Sequence, residues 1–344
     1  MEHSLSNFPP VLRRARVLAV SPELAEIELL EGPLAGEIVP GVFYRNLGAP
    51  PVAGDDIVVN TVGLEMSLGT GGLAVIMPSL QESAHAPPNE DHFVKLPYTP
   101  LQFPASSPPQ AENLSGVPVV VLSLHSQLAP ACCAATTLRP GCRVAFLWQE
   151  GGALPVALSR IVRVLKENRL LHAVVSAGSC FGGDLEAPNV YSGLLAAAGG
   201  ERGAELVLTG IGPGLVGTAT AFGHGGMAAA LALNAASSLD AEPVLAPRLS
   251  SADSRQRHRG LSHHTQAALR ATLAGCRVAF PASCEIPTEG LPDRHFYVFI
   301  EANATGLQDR FGVTFESMGR RYEEDPVFFD AAAAAVALAL DDAR

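Results

Sequence analysis

Lysine is nearly missing from this 344-residue chain, occurring only at Lys95 and Lys166. Arginine therefore carries almost all the positive charge, so an arginine at any one position is weak evidence for a bidentate anion contact. Positive charge is short overall: 23 Lys and Arg stand against 34 Asp and Glu, a net charge of −11. That argues against a general nucleic-acid binder, which needs a basic footprint. It also makes a local basic cluster informative. Cysteine is sparse and irregularly spaced: Cys132, Cys133, Cys142, Cys180, Cys276 and Cys284 contain no C-x-x-C pair. The spacing speaks against a cysteine-built zinc site, and free thiols are expected rather than disulfides. The adjacent pair Cys132-Cys133 reads as helix packing. Long apolar runs are also missing. None reaches the roughly 18 residues that cross a bilayer, and the richest, residues 331–340, is bracketed by Asp330 and Asp341. Met1-Glu2-His3-Ser4 shows no basic stretch before an apolar core, so no signal peptide is read and the expected compartment is the cytoplasm.

What is present is a large core-forming fraction, 48% hydrophobic, in a chain long enough for two or three domains. Residues 11–20 and 25–30 alternate apolar with polar side chains, with Ser21-Pro22-Glu23 as a turn between them. Residues 36–44, 56–62 and 73–77 are further strand candidates. Short strands at this spacing predict a small β-barrel or sandwich over residues 1–78. Residues 79–116 are rich in Pro, Ser and Gln, with Pro87-Pro88 and Ser106-Ser107-Pro108-Pro109, and predict a linker. Within it, residues 92–98 form an extended segment suited to docking on the main domain.

From Val117 the pattern changes. Residues 117–124 form a nearly continuous apolar run, residues 142–147, 171–176, 205–209 and 243–246 look similar, and 276–280, 295–300 and 312–315 are further candidates. Continuous apolar runs suit strands covered on both faces, as in a parallel sheet. Helical stretches at 154–167, 189–198, 227–239, 263–273 and 326–342 lie between them. The alternation predicts, over residues 117–344, a doubly wound, mostly parallel, Rossmann-like α/β sheet.

Ligands of such sheets bind beyond the carboxyl ends of the strands, and the loops there are polar, glycine-rich, or both. The fourth holds Gly210, Gly212, Gly214, Gly217 and Thr218, a composition that lets backbone N–H groups approach an anion. It matches neither a dinucleotide fingerprint nor a P-loop, and a tight strand-to-helix turn would use the same glycines. Residues 248–264 are denser: Arg248, Arg255, Arg257, Arg259, His258, His263 and His264 face one acid, Asp253. Ser262 can cap the following helix, placing His263 and His264 in its first turn, where the dipole favours neutral imidazole. Neutral imidazole suits metal ligation or base chemistry. Together with His125, His224 and Asp184 these histidines are candidates for an N and O metal site. An arginine clamp for phosphate or carboxylate is the rival reading, and a solvated loop with a helix cap the bland one. Ser262 is not in Gly-x-Ser-x-Gly, nothing local lowers the Cys180 pKa, and Asp184, Glu186 and Glu150 remain open as general bases.

Several ordered stretches carry a resemblance. They are residues 95–102 (KLPYTPLQ), 124–128 (LHSQL), 151–155 (GGALP), 181–186 (FGGDLE), 210–214 (GIGPG), 257–264 (RHRGLSHH) and 317–320 (SMGR). On these the chain resembles the bacterial family catalogued as domain of unknown function 3866, over nearly its whole length. The family usually has Asp-Gly-Gly where this chain has Glu150-Gly151-Gly152. The resemblance implies no activity.

The expectation from the residues is an enzyme acting on a small anionic, phosphorylated or nucleotide-like molecule, with metal-assisted hydrolysis or group transfer as the reaction class. His125, Asp184, His263 and His264 are the candidates for proton transfer. Gly210, Gly212, Gly214, Gly217, Thr218, Arg248, Arg257 and Arg259 would bind the ligand. His258, His263 and Asp184 would hold a divalent metal. A homodimer is expected on general grounds, with no membrane or nucleic-acid partner. The alternative is a non-enzymatic scaffold or sensor whose β domain binds a partner.

Overall fold

The computed structural model describes residues 10–67, 72–78, 91–201, 203–218 and 220–341. The chain divides into two compact units, residues 1–88 and 89–344.

The first unit holds β1 (Leu12–Val20), β2 (Leu24–Leu29), β3 (Ile38–Val42), β4 (Asp56–Asn60) and β5 (Ala74–Ile76), with a four-residue helix α1 (Val62–Glu65). They close a barrel in the order β1-β2-β3-β5-β4. Every pairing is antiparallel except β3 with β5. Alternation puts Ala15, Val17, Ala25, Ile27, Leu29 and Val59 inside. The interior has no room at Gly41, where a Cβ would come 2.9 Å from the Ile76 side chain and 3.1 Å from Ile27.

The second unit opens with a ribbon of β6 (Val94–Lys95) and β7 (Phe103–Pro104). Its main sheet is built from β8 (Val119–Leu122), β9 (Val144–Gln149), β10 (Ala173–Ala177), β11 (Leu185–Ala187), β12 (Leu206–Ile211) and β13 (Val244–Ala246). A short ribbon of β14 (Leu249–Ser250) and β15 (Gly260–Leu261) precedes its last strands, β16 (Arg277–Pro281) and β17 (Phe296–Ile300). The order β11-β10-β9-β12-β8-β13-β16-β17 is parallel throughout. The chain winds outward from β8 in one direction, returns to insert β12 beside β8, then continues on the other side through β13. β12, β8 and β13 therefore end side by side where the winding reverses, the place where open α/β sheets bind ligands.

The helices are α2 (Leu128–Leu138), α3 (Arg160–Glu167), α4 (Val190–Ala198), α5 (Ala228–Ser238), α6 (His263–Ala271), α7 (Leu307–Phe311) and α8 (Pro326–Asp341). Both sheet faces are covered. In β9, Val144, Phe146 and Trp148 pack toward α2, α3 and α8, while Ala145 and Leu147 pack toward α4, α5 and α6. This two-sided burial is why the central strands are apolar at nearly every position. Cys132 and Cys133 are buried in α2, as the sequence suggests. Among the described residues no helix is long and apolar enough to cross a membrane.

Three local expectations change. Residues 312–315 are not a strand: the Phe315 amide donates to Gln308 Oε1 at 2.6 Å, while Val313 and Phe315 are buried in the core. The helix expected over 154–167 is broken at Ser159. There a 3-10 turn (Val156–Leu158) ends and the Ser159 hydroxyl caps α3 by accepting from the Val162 amide. The edge strand β11 was not anticipated. It pairs with β10 through Val175–Ala177.

Candidate functional site

The glycine-rich loop after β12 is tightly packed. A Cβ at Gly210 would sit 3.0 Å from the Leu122 carbonyl, and one at Gly212 would overlap the Ala153 carbonyl and the Trp148 ring. Gly214 takes φ +73° at a turn. Several amides of the loop go to carbonyls: Val216 to Gly151 (3.1 Å), Thr218 to Gly223 (2.6 Å) and Gly225 to Val216 (2.8 Å). Gly217 bridges to His224, and the Thr218 hydroxyl is hydrogen-bonded to Thr220 Oγ1 and the Gly223 carbonyl. The glycines thus let residues 151–152 lie backbone against backbone with Gly212, Pro213, Val216 and Gly225, and the loop delivers His224 to the carboxyl end of the sheet.

The second stretch follows β13. Arg248, in the β13–β14 connection, and Ser250, in β14, enter the site, and Ser262 caps α6 by accepting from the His264 amide at 3.2 Å. The Ser262 hydroxyl also lies 2.7 Å from His258 Nδ1. Four imidazoles gather here. The His224 and His264 rings stack at 3.8 Å. His263 lies 4.3 Å from His264, and His258 lies 4.9 Å from His263 and 4.8 Å from His264. His224, His263 and His264 each offer a ligand atom, and these atoms lie within 4.8 Å of one another.

A charged frame surrounds the rings. Asp253, 1% exposed, accepts from Arg248 Nη2 at 3.2 Å and from Arg255 through Nε (3.0 Å) and Nη2 (2.9 Å), with Arg320 Nη2 at 3.6 Å. Arg320 Nε donates to Asp325 (3.2 Å), which also accepts from the Ser250 hydroxyl and the Ser251 amide. Met318 and Gly319, at φ +52° and +74°, make the two-residue turn between the Ser317 and Arg320 strand positions. This places Met318 Sδ 3.2 Å from Arg248 Nη2 and 3.3 Å from Arg255 Nη2. Ser126 Oγ, after β8, meets Ser317 Oγ at 2.8 Å. Arg257 and Arg259 are exposed.

Burial and neighbouring positive charge lower all four imidazoles, which favours their neutral form. Burial, then the charges of Arg248 and Arg255, pushes His258 down to about 3. Burial, then the neighbouring His224 and His263, pushes His264 down to about 2. His224 and His263 are lowered mainly by burial, with Arg248 adding to both and Arg257 to His263. Burial alone would raise the Asp253 carboxyl. Its hydrogen bonds with Arg255 and the charges of Arg255 and Arg248 outweigh that and hold it below its ordinary value. Burial and the Arg255 charge draw Arg248 down to about 10.

Other candidates lie apart from this cluster. His125 is buried against Trp148 and Phe146, with Nε2 2.7 Å from the Ser159 hydroxyl, and burial pushes it down to about 4. Asp184 is ion-paired with Lys166 and accepts from the Val174 amide at 2.7 Å. Glu150 accepts from the Ser179 amide at 2.6 Å. Glu186 pairs with the buried Lys95 at 3.1 Å, and Lys95 also donates to the Ser176 and Ala187 carbonyls. Burial pushes the Cys180 thiol up to about 12, so it is no ready nucleophile. His258, His263, His264 and Arg248 thus come together as their spacing suggests. Asp253 and Arg255, noted in the sequence only for the charge of their stretch, sit at the centre of the site, and Asp325, Met318 and Arg320 complete it without being singled out as site residues by the sequence.

No curated protein and no solved structure matches the chain. The model of one family, described as protein of unknown function (DUF3866), matches residues 41–336. That span takes in the end of β3, β4 and β5 of the barrel and the whole histidine–arginine cluster, and the chain belongs to this family.

Proposed function

We propose that the protein is an enzyme acting on a small anionic molecule, phosphorylated or nucleotide-like, at the carboxyl ends of β12, β8 and β13. One observation carries this reading. Beside the cluster of imidazoles, Arg248, Arg255 and Arg320 meet Asp253 and Asp325, and the same stretch of chain carries the exposed Arg257 and Arg259, an excess of +3 in a chain of −11. Arg248 and Arg255 are aligned by Asp253, and the exposed Arg257 and Arg259 offer guanidinium forks to an oxyanion. A neutral imidazole beside a bound anion can take a proton, the first requirement of hydrolysis or group transfer.

Thermal shift with inorganic phosphate, pyrophosphate and nucleotides tests this. A probe at about 100 times its Kd adds roughly 2.7 kcal/mol to stability, read as a rise in Tm. The rise is expected to shrink in Arg257→Ala and Arg259→Ala. A wild-type Tm indifferent to all these anions overturns the reading.

A further inference from the structure

We propose that His224, His263 and His264 together bind one divalent transition-metal ion, with His224 Nδ1 and His263 Nε2 as two of the ligand atoms. This deepens the functional reading and rests on the same cluster.

The argument starts from which ring nitrogens have lone pairs to give. His224 Nε2 lies 3.1 Å from the Ala221 carbonyl. A carbonyl only accepts, so Nε2 carries the hydrogen and Nδ1 carries the lone pair. That Nδ1 is buried without a hydrogen-bond partner, in a residue only 7% exposed. An imidazole fixed by a backbone carbonyl on one nitrogen and bare on the other is the arrangement of metal-ligating histidines. His263 Nε2 is also buried without a hydrogen-bond partner. Stranding two buried imidazole nitrogens costs free energy, and one metal ion would satisfy both. His264 completes the set: Arg248 Nη1 reaches its Nδ1 only at 3.4 Å, a weak contact that a metal can replace.

The donor set also names the metal. Three neutral nitrogens with no carboxylate or thiolate among them suit Zn2+, Co2+, Ni2+ or Cu2+, and not Mg2+ or Ca2+. In a tetrahedral site with metal–nitrogen bonds near 2.0–2.1 Å the nitrogens stand about 3.4 Å apart, so the rings close in slightly around the ion. Three protein ligands leave a fourth position open. The surrounding arginines oppose a cation, and an anion in that fourth position would offset them. The Gly226 backbone lies against the site, and a Cβ there would come 3.0 Å from His224 Nδ1.

The test uses the full-length chain without a histidine tag, stripped with a chelator and exchanged into phosphate-free buffer. Co2+ is titrated while its visible ligand-field absorption is followed. Saturation at one Co2+ per chain is expected, with displacement by Zn2+ and none by Mg2+. His224→Ala and the less buried His263→Ala should each weaken binding by more than the ~10–100-fold that loss of an outer-shell partner costs. Asp184→Asn should leave it unchanged. Circular dichroism of the stripped variants checks that each is folded. Folded wild type without the Co2+ spectrum overturns the proposal, and so does stoichiometric binding retained in the folded His224→Ala/His263→Ala double variant. Anion-induced Tm shifts measured both in chelator and with Zn2+ bound separate the two ideas. Shifts without Co2+ binding sink only the metal site, and Co2+ binding with no anion-induced shift in either condition sinks only the anionic substrate.

Discussion

Asp253 is the residue on which the charged frame turns. It meets Arg248, Arg255 and Arg320 and is 1% exposed. Asp253→Asn leaves Arg248 buried with less compensation and should cost roughly 3 kcal/mol, measured by denaturant unfolding. Its carboxyl is held below the ordinary value, so the stability it contributes is complete above about pH 4 and is lost as pH falls further. His125 acts over a higher range. Its folded value near 4 lies below the 6.5 of a free imidazole, so below pH 6.5 the unfolded chain takes up protons that the folded chain refuses. Stability should fall by about 3 kcal/mol from this group between pH 6.5 and 4. His125→Gln should flatten that part of the stability–pH curve, and an unchanged slope would refute the assignment. Gly225 is constrained by contact with backbone, since a Cβ there overlaps the Gly151 backbone. Gly225→Ala should therefore destabilise by about 1–3 kcal/mol and displace His224, lowering Co2+ affinity as well as Tm.

At the scale of elements, α6 and the β6–β7 ribbon matter most. α6 carries His263 and His264 on its first turn, and Ser262 both caps it and hydrogen-bonds His258. Ser262→Ala should cost about 1–2 kcal/mol and weaken Co2+ binding, because the cap sets the angle at which both rings emerge. The ribbon inserts Lys95 at the ends of β10 and β11, where it bonds the Ser176 and Ala187 carbonyls and Glu186. Burial, which outweighs the attraction of Glu186, lowers Lys95. It likewise raises Glu186 against the pull of Lys95. Lys95→Met strands Glu186 and should cost about 3–5 kcal/mol. Adding Glu186→Gln should recover part of that, and a double variant no better than the single one would show that the pair is not coupled.

On the scale of the molecule, the barrel and the α/β unit each enclose a core of their own. Calorimetry of the full chain is expected to resolve two transitions, with metal or anion raising only the one that belongs to residues 89–344. In the α/β unit the winding reversal at β8 gathers three loops, and the Ser317–Arg320 turn closes over them through Ser126 and Asp253.

The sequence alone determined most of the main elements and the local grouping of part of the candidate site. Period-2 alternation marked β1 and β2, because one side of each faces the interior, and Gly and Pro punctuation marked off the other three barrel strands. Largely apolar runs marked the parallel strands other than β11, because the sheet is covered on both faces. His258, His263, His264 and Ser262 were legible together because a cap and one helical turn place near neighbours by local geometry. Only the tertiary structure decided the rest. His224 joins the cluster because glycine loops pack backbone to backbone, and Arg320 and Asp325 arrive from more than 60 residues beyond Arg248. Asp184 and His125 follow strand ends as the site residues do, yet the fold commits one to Lys166 and the other to Trp148 and Ser159. Local spacing fixes which residues share a turn. Which turns share a cleft depends on the order of strands across the sheet, and that order is set by packing between residues far apart in the chain.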